Sequence, residues 1–197
     1  MNARQRVRTA LDHQTPQRVP FAWGFGPTRE MQQHLRVELG RQGLDWDRLR
    51  RKTDDVTAVS PRYVGPPLPE NTGIWGVRRK RVSYGGGAYM EIEDPPLAGT
   101  TRASALDAYP WPDPDAFDYD SLPGNIDRAL EETGPRAIRI VAGNPLEHYT
   151  WMTGMEETMV NLLTEPELVR HALERIGDFW MGRLERIIAA AGDRIDL

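Results

Sequence analysis

The sequence contains no cysteine, so a disulfide framework and thiolate metal ligands are both excluded within its 197 residues. It has no apolar run of the length a bilayer span needs, and a membrane is not an expected partner. The opening stretch MNARQRVRTALDH is basic without an apolar core, and does not read as a secretory signal. A basic face is also wanting: net charge is −4, and the one cationic run is Arg78–Arg81, RRKR. That run sits in an alternating segment and reads as a solvated strand and turn. Binding nucleic acid needs phosphate neutralisation by a positive face, so it is not expected. Absent too is the glycine-rich phosphate loop that opens doubly wound folds. A cytoplasmic enzyme or binding protein is the remaining expectation.

What is present alternates between strand-like and helix-like segments. ARQRVRTALDH places Val7, Ala10 and Leu11 on one helical face, and Pro16 stops it. RVPFAWGF predicts a buried strand from Val19 to Phe25, ending at Gly24, Gly26 and Pro27. Residues 28–50 predict a helix capped by Thr28, with Met31, Leu35 and Leu39 as its apolar stripe. Asp54–Ser60 predicts a second strand. Next comes a β-rich stretch around Gly85–Gly87, read as a hairpin inserted into the strand–helix alternation.

The proline- and aspartate-rich ALDAYPWPDPDAFDYDSLP predicts a surface crossing, and Asn125–Thr133 a short helix. RAIRIVAGNP predicts the third strand. A helical stretch over Leu146–Leu163 follows, then a restart at Pro166 and a long helix to Ala191 that turns Leu168, Ala172, Ile176, Phe179 and Leu184 inward. Gly192 supplies a left-handed turn, and Ile195–Leu197 reads as the start of a fourth strand. Buried parallel strands with helical crossovers define an α/β layer fold.

The order of these segments resembles the uroporphyrinogen decarboxylase superfamily, which includes corrinoid-linked methyltransferases. The likeness is carried by RQRVRTALDHQTPQRVP (4–20), DDVTAVSPRYVGP (54–66), GIWGVRRKRV (73–82) and GNPLEHYTWMTGMEETMVNLLTEPELV (143–169). It covers essentially the whole chain. The opening and the helix–TEPELV–helix segment are specific in combination. The resemblance implies the N-terminal half of a (β/α)8 barrel, with a hairpin inserted after the second strand and a truncation at the fourth.

In such a barrel the site forms at the C-terminal ends of the strands. Candidate groups there are Phe25 and Arg29 after the first strand, Asp55 (or Asp54, one register step away) with Tyr63 around the second, Asn144, His148 and Trp151 after the third, and Asp196 in the fourth. By resemblance, Arg29 aligns with the second of two loop arginines that bind substrate carboxylates. Phe25 stands at the first of those positions, and the RQAGR-like motif around them is missing. Asp55 falls where the decarboxylase holds the pyrrole N–H groups and stabilises developing positive charge, a catalytic role in which Asp55→Asn abolishes turnover with the fold intact. The bland alternative for either aspartate is a carboxylate making local bonds at the start of a strand.

Trp151 occupies the place of the decarboxylase's tyrosine, with Tyr149 two residues earlier; a tryptophan packs against a flat macrocycle but offers no hydroxyl. Glu147 and His148 are adjacent on a helix and make a poor metal chelate, so no metal is assigned within the chain. By resemblance, zinc ligands in methyltransferase relatives come from the second half of the barrel, and a full-length parent would add zinc and a corrinoid.

Three functions follow. The first is methyl transfer between a corrinoid protein and a small acceptor, favoured by the altered arginine and tyrosine positions. The second is decarboxylation of uroporphyrinogen in tetrapyrrole biosynthesis. The third is an inactive half-barrel fragment or interaction protein. The partners implied are a tetrapyrrole or methylated small-molecule substrate, a corrinoid protein, and a second copy in a homodimer.

Overall fold

The computed structural model describes residues 1–24 and 26–197; Phe25, expected at the substrate, lies outside the described residues. Helix α1 (Ala3–Leu11) starts with a capping box, in which the Asn2 side chain accepts from Gln5 N and the Gln5 side chain accepts from Asn2 N. Thr28 caps α2 (Arg29–Arg41) as expected, accepting from Met31 N. The helix predicted over 28–50 is two helices. Gly43 turns the chain at φ +74°, and Asp45 caps α3 (Trp46–Thr53) by accepting from Arg48 N.

Two short strands follow, β1 (Val56–Ala58) and β2 (Arg62–Tyr63). The predicted hairpin is β3 (Arg78–Ser83) paired antiparallel with β4 (Ala88–Asp94). After α4 (Ala103–Asp107) and β5 (Phe117–Asp118), α5 (Leu122–Thr133) begins before the expected Asn125. Pro123 sits in its first turn, where a missing N–H costs no helical bond. Strand β6 (Ala137–Arg139) leads to α6 (Pro145–Thr153) and α7 (Met155–Thr164), expected as one helical stretch but divided at Gly154. Helix α8 (Pro166–Ala191) restarts at Pro166, and Gly192 takes the left-handed conformation at φ +49°. The fold is thus mixed α/β, with eight α-helices and three two-stranded sheets among the described residues, none closed.

The chain divides into two compact units. One comprises Met1–Pro61, Tyr119–Val141 and Ile187–Leu197; the other comprises Arg62–Asp118 and Ala142–Arg186.

In the first unit, β1 and β6 pair in parallel, from Val56 against Ala137 to Ala58 against Arg139. The bonding extends to chain on either side. Asp55 N donates to Phe21 O at 2.8 Å, while Leu197 N donates to Ile138 O at 3.1 Å and Ile140 N to Leu197 O at 3.0 Å. The last two bonds alternate as in a parallel pair. The segments around Phe21, β1, β6 and Leu197 therefore lie side by side in chain order. No regular strand forms over the described part of Val19–Phe25: Pro20 has no N–H to give a ladder, and Gly24 turns at φ +59°.

Val59, Ile138, Ile140 and Ile195 face α5 and the end of α8, packing with Leu122, Ile126, Ile187 and Ala191. On the opposite face Ala58 and Val141 are exposed. The C-terminal segment is fastened by Asp196, whose buried carboxylate accepts from Ile138 N at 2.9 Å and pairs with Arg4 at 3.0 Å and Arg8 at 2.6 Å. Burial pushes this carboxyl up, but the Ile138 amide and the two arginines outweigh it and hold it below the ordinary carboxylate range.

In the second unit the core joins Trp75, Val77, Leu97, Leu106, Tyr149 and Met152 to the apolar face of α8. Of the stripe predicted for α8, Leu168, Ala172, Ile176 and Phe179 are buried and Leu184 is half-buried. The proline- and aspartate-rich crossing contributes more to the interior than expected. Leu106 is 1% exposed, and Tyr109, Trp111 and Phe117 pack against the core. Their polar ends are satisfied locally, which permits this: Tyr109 Oη donates to Trp75 O at 2.8 Å and Trp111 Nε1 to Leu106 O at 2.7 Å.

Candidate functional site

The candidate residues do not converge on one place. Asp55 lies just before β1, at its N-terminal end, and is 1% exposed. Its Oδ1 accepts from Arg6 and from Arg18 Nη2 at 2.9 Å, and its Oδ2 from Arg18 Nη1 at 2.7 Å and from Phe21 N at 2.9 Å. Both oxygens are spent on two guanidiniums and a backbone amide. These partners lie 49, 37 and 34 residues away, so the carboxylate is held by long-range contacts and not by the local bonds considered for this position. Arg29 is the first residue of α2 and is exposed. Tyr63 pairs with β5, stacks edge-on to Phe117 at 5.5 Å, and donates its hydroxyl to Pro66 O at 3.1 Å.

The third-strand loop does assemble a site, within the second unit. Gly143 leaves the strand direction at φ +91°, and Asn144 caps α6 by accepting from Glu147 N at 3.3 Å. One turn later His148 is 8% exposed, with its Nδ1 at 2.8 Å from Asn144 O. A carbonyl only accepts, so Nδ1 carries the proton and Nε2 the lone pair. The imidazole is surrounded by three indoles: Trp151 at 4.8 Å, Trp75 at 4.9 Å and Trp180 at 5.3 Å between centroids. Burial pushes the His148 pKa down, and nearby Arg79 pushes the same way; the Asn144 carbonyl and Glu147 oppose them only in part. The ring is therefore neutral at pH 7.

This depression has a measurable sign. Below the ordinary histidine pKa of about 6.5 the unfolded chain takes up a proton that folded His148 resists, so stability falls as pH drops through that range. Urea unfolding between pH 7.5 and 5.5 is expected to show this fall, and His148→Gln is expected to flatten it. An equally steep fall in the variant would assign the slope elsewhere.

Beside the cluster, β4, α6 and α7 border a groove of about 870 Å³ lined by Met90, Ile92, Leu146, Trp151, Met155 and Met159. The three methionines are each roughly half exposed or more. Their flexible, polarisable chains let such walls adapt to a bulky apolar ligand. Arg79 of β3 places its guanidinium 4.9 Å from the centre of the Trp151 ring. Among the described residues no carboxylate pairs with it. The groove thus offers a half-buried indole with a guanidinium against its ring, adaptable walls, and two carboxylates, Glu91 and Glu147. Tyr149 does not reach it: its side chain is 1% exposed and its hydroxyl accepts from Asn161 Nδ2 at 3.3 Å.

Three of the sequence candidates, Asn144, His148 and Trp151, are therefore brought together. Arg79, Trp75 and Trp180 are residues that sequence reasoning passed over. Buried Val77 stands two residues before Arg79 but lies outside β3, and the register shifts at Arg78 and Arg79, so strand alternation gives no signal for Arg79. For Trp75 and Trp180 no spacing rule connects the positions. Among the described residues no three His, Asp or Glu side chains gather as a metal site, and no helix is long and apolar enough to cross a membrane. Comparison with known proteins gives no match to a family model, a curated protein or a solved structure.

Proposed function

We propose that the chain is the N-terminal part of a (β/α)8 barrel of the uroporphyrinogen decarboxylase superfamily, from its methyltransferase-like branch. In this proposal the Trp151 groove receives one face of a corrinoid. The barrel is supported by the four extended segments lying side by side in chain order. The choice of branch rests on one observation: the third-strand loop presents an indole and no phenol hydroxyl, because Tyr149 is turned into the core. A decarboxylase of this family would need that hydroxyl at its substrate.

The residues fit a corrinoid through the largely apolar lining of the groove and through Arg79, which stands in its wall with Glu91 and Glu147. Trp151 would carry the macrocycle's flat face, Met90, Met155 and Met159 its alkyl rim, and Arg79 an acidic or amide substituent. A bound corrinoid would supply the methyl group to be transferred. The described residues do not gather a zinc site, and no step is assigned to zinc here. Neutral His148 holds Asn144 and the start of α6 in place beneath the groove.

The test is a pair of assays on the full gene product that carries these residues: loss of methylcobalamin absorbance with a small thiol acceptor, and carbon dioxide release from uroporphyrinogen. Methyl transfer is expected, with Trp151→Ala lowering kcat/KM for methylcobalamin about tenfold, the effect of losing roughly 1.4 kcal/mol of ring packing. Carbon dioxide release without methyl transfer would overturn the proposal.

A further inference from the structure

A second cleft, in the first unit, has a different chemistry. It measures about 270 Å³ and runs along the face of β1 and β6 that carries Val56, Ala58 and Arg139, with Arg50 of α3, Asp54 and Arg136 around it. Three guanidiniums face one carboxylate, so the cleft is cationic. Arg136 is 6% exposed and is held in place by donating to Arg51 O.

Two polar atoms of these lining residues are buried with no partner among the described residues: Asp54 Oδ1, an acceptor, and Arg139 Nε, a donor. Leaving such groups unpaired in the interior is costly, the more so when they are charged. The adjacent carboxylate, Asp55, is taken up by Arg6 and Arg18. An occupant that satisfies both orphans must accept from arginine and donate to aspartate. The volume is several times the ~30 Å³ of one water, and suits a molecule of a few carbons.

We propose that this cleft binds a small carboxylate bearing a hydroxyl or ammonium group on the neighbouring carbon. Its carboxylate meets Arg139 and Arg50, which offer fork geometry for paired N–H···O bonds. Its donor group meets Asp54 Oδ1. Acetate, with the same charge but no donor, leaves Asp54 unpaired and is the poor ligand of the series. The inference needs only β1, β6, α3 and the chain before β1, so it stands apart from the methyl-transfer proposal and fails or survives separately.

The test is isothermal titration calorimetry of the full chain with glycolate, glycine and acetate. Glycolate or glycine is expected to bind at one site at least tenfold more tightly than acetate; whichever is tighter identifies the donor. Arg139→Gln and Arg50→Gln are each expected to weaken that ligand at least fivefold. Arg50 is the safer variant for folding, lying half-buried on a surface helix. Asp54→Leu is expected to bring the preference over acetate down to about one, without weakening acetate itself. Absence of saturable binding, equal affinity for acetate, or affinity unchanged by both arginine variants would overturn the site.

Discussion

Asp55→Ala is expected to lose roughly 3–5 kcal/mol of stability, the cost of removing one partner from a buried ion pair. The carboxylate accepts from Arg6, from both terminal nitrogens of Arg18 and from Phe21 N, and the Arg6 side chain is only 11% exposed. Alanine would leave that guanidinium and the amide buried without an acceptor. Arg18→Ala should cost far less, about 1 kcal/mol, because its side chain is 43% exposed and water can replace it. A domain of this size shifts its Tm by about 2–4 °C per kcal/mol, so Asp55→Ala should melt at least ~6 °C lower. The measurement is urea unfolding at pH 7, with Asp55→Asn alongside. Asparagine keeps the shape but not the charge and should fall between wild type and alanine. The catalytic role suggested by resemblance makes the opposite forecast: an Asp55→Asn protein as stable as wild type but without turnover.

Gly143→Ala is the second large effect, on the order of 3 kcal/mol from backbone strain and overpacking together. Gly143 sits at φ +91°, a region L residues rarely adopt, and a Cβ there would overlap the indole of Trp180. Either the strand-to-helix turn or the indole must move, and Trp180 is part of the wall around His148. Double-mutant analysis separates the two contributions. Trp180→Leu should recover the overlap part of the loss in Gly143→Ala and leave the strain part. Full additivity of the two variants would show that the indole does not press on Gly143.

Much of the architecture was readable because its signals are local. Thr28 caps the helix it is expected to open, and Gly192 supplies the left-handed turn. The hairpin forms around the triple glycine, with Gly85 at φ +85°. Local signals also misled where two competed. The breaks at Gly43 and Gly154 were hidden inside apolar periodicity that continues on both sides, yet each glycine takes positive φ and divides a helix. Pro123 belongs by composition to the proline- and aspartate-rich crossing before it, yet it sits in the first turn of α5.

The site was less legible because its determinants are distant in sequence. Nothing in the local sequence around Asp55 points to Arg6 and Arg18, which close on it from 49 and 37 residues away. Arg79 was concealed in RRKR, a run whose members diverge in the structure. Arg78 pairs with Glu93 at the surface, while Arg79 lies over Trp151. The orphaned atoms of Asp54 and Arg139 appear only once α3 and β6 are brought to one cleft.

The chain-order layer of the first unit is the structural support for the proposed barrel, and amide hydrogen exchange tests it directly. Four donors cross its three boundaries: Asp55 N to Phe21 O, Ala137 N to Asp55 O, Val59 N to Arg139 O, and Ile140 N to Leu197 O. All four are expected to exchange far more slowly than an unstructured chain, as amides in a shared ladder do. Protection of Ala137 and Val59 with free exchange at Asp55 and Ile140 would reduce the layer to an isolated strand pair, and the barrel proposal would fall with it.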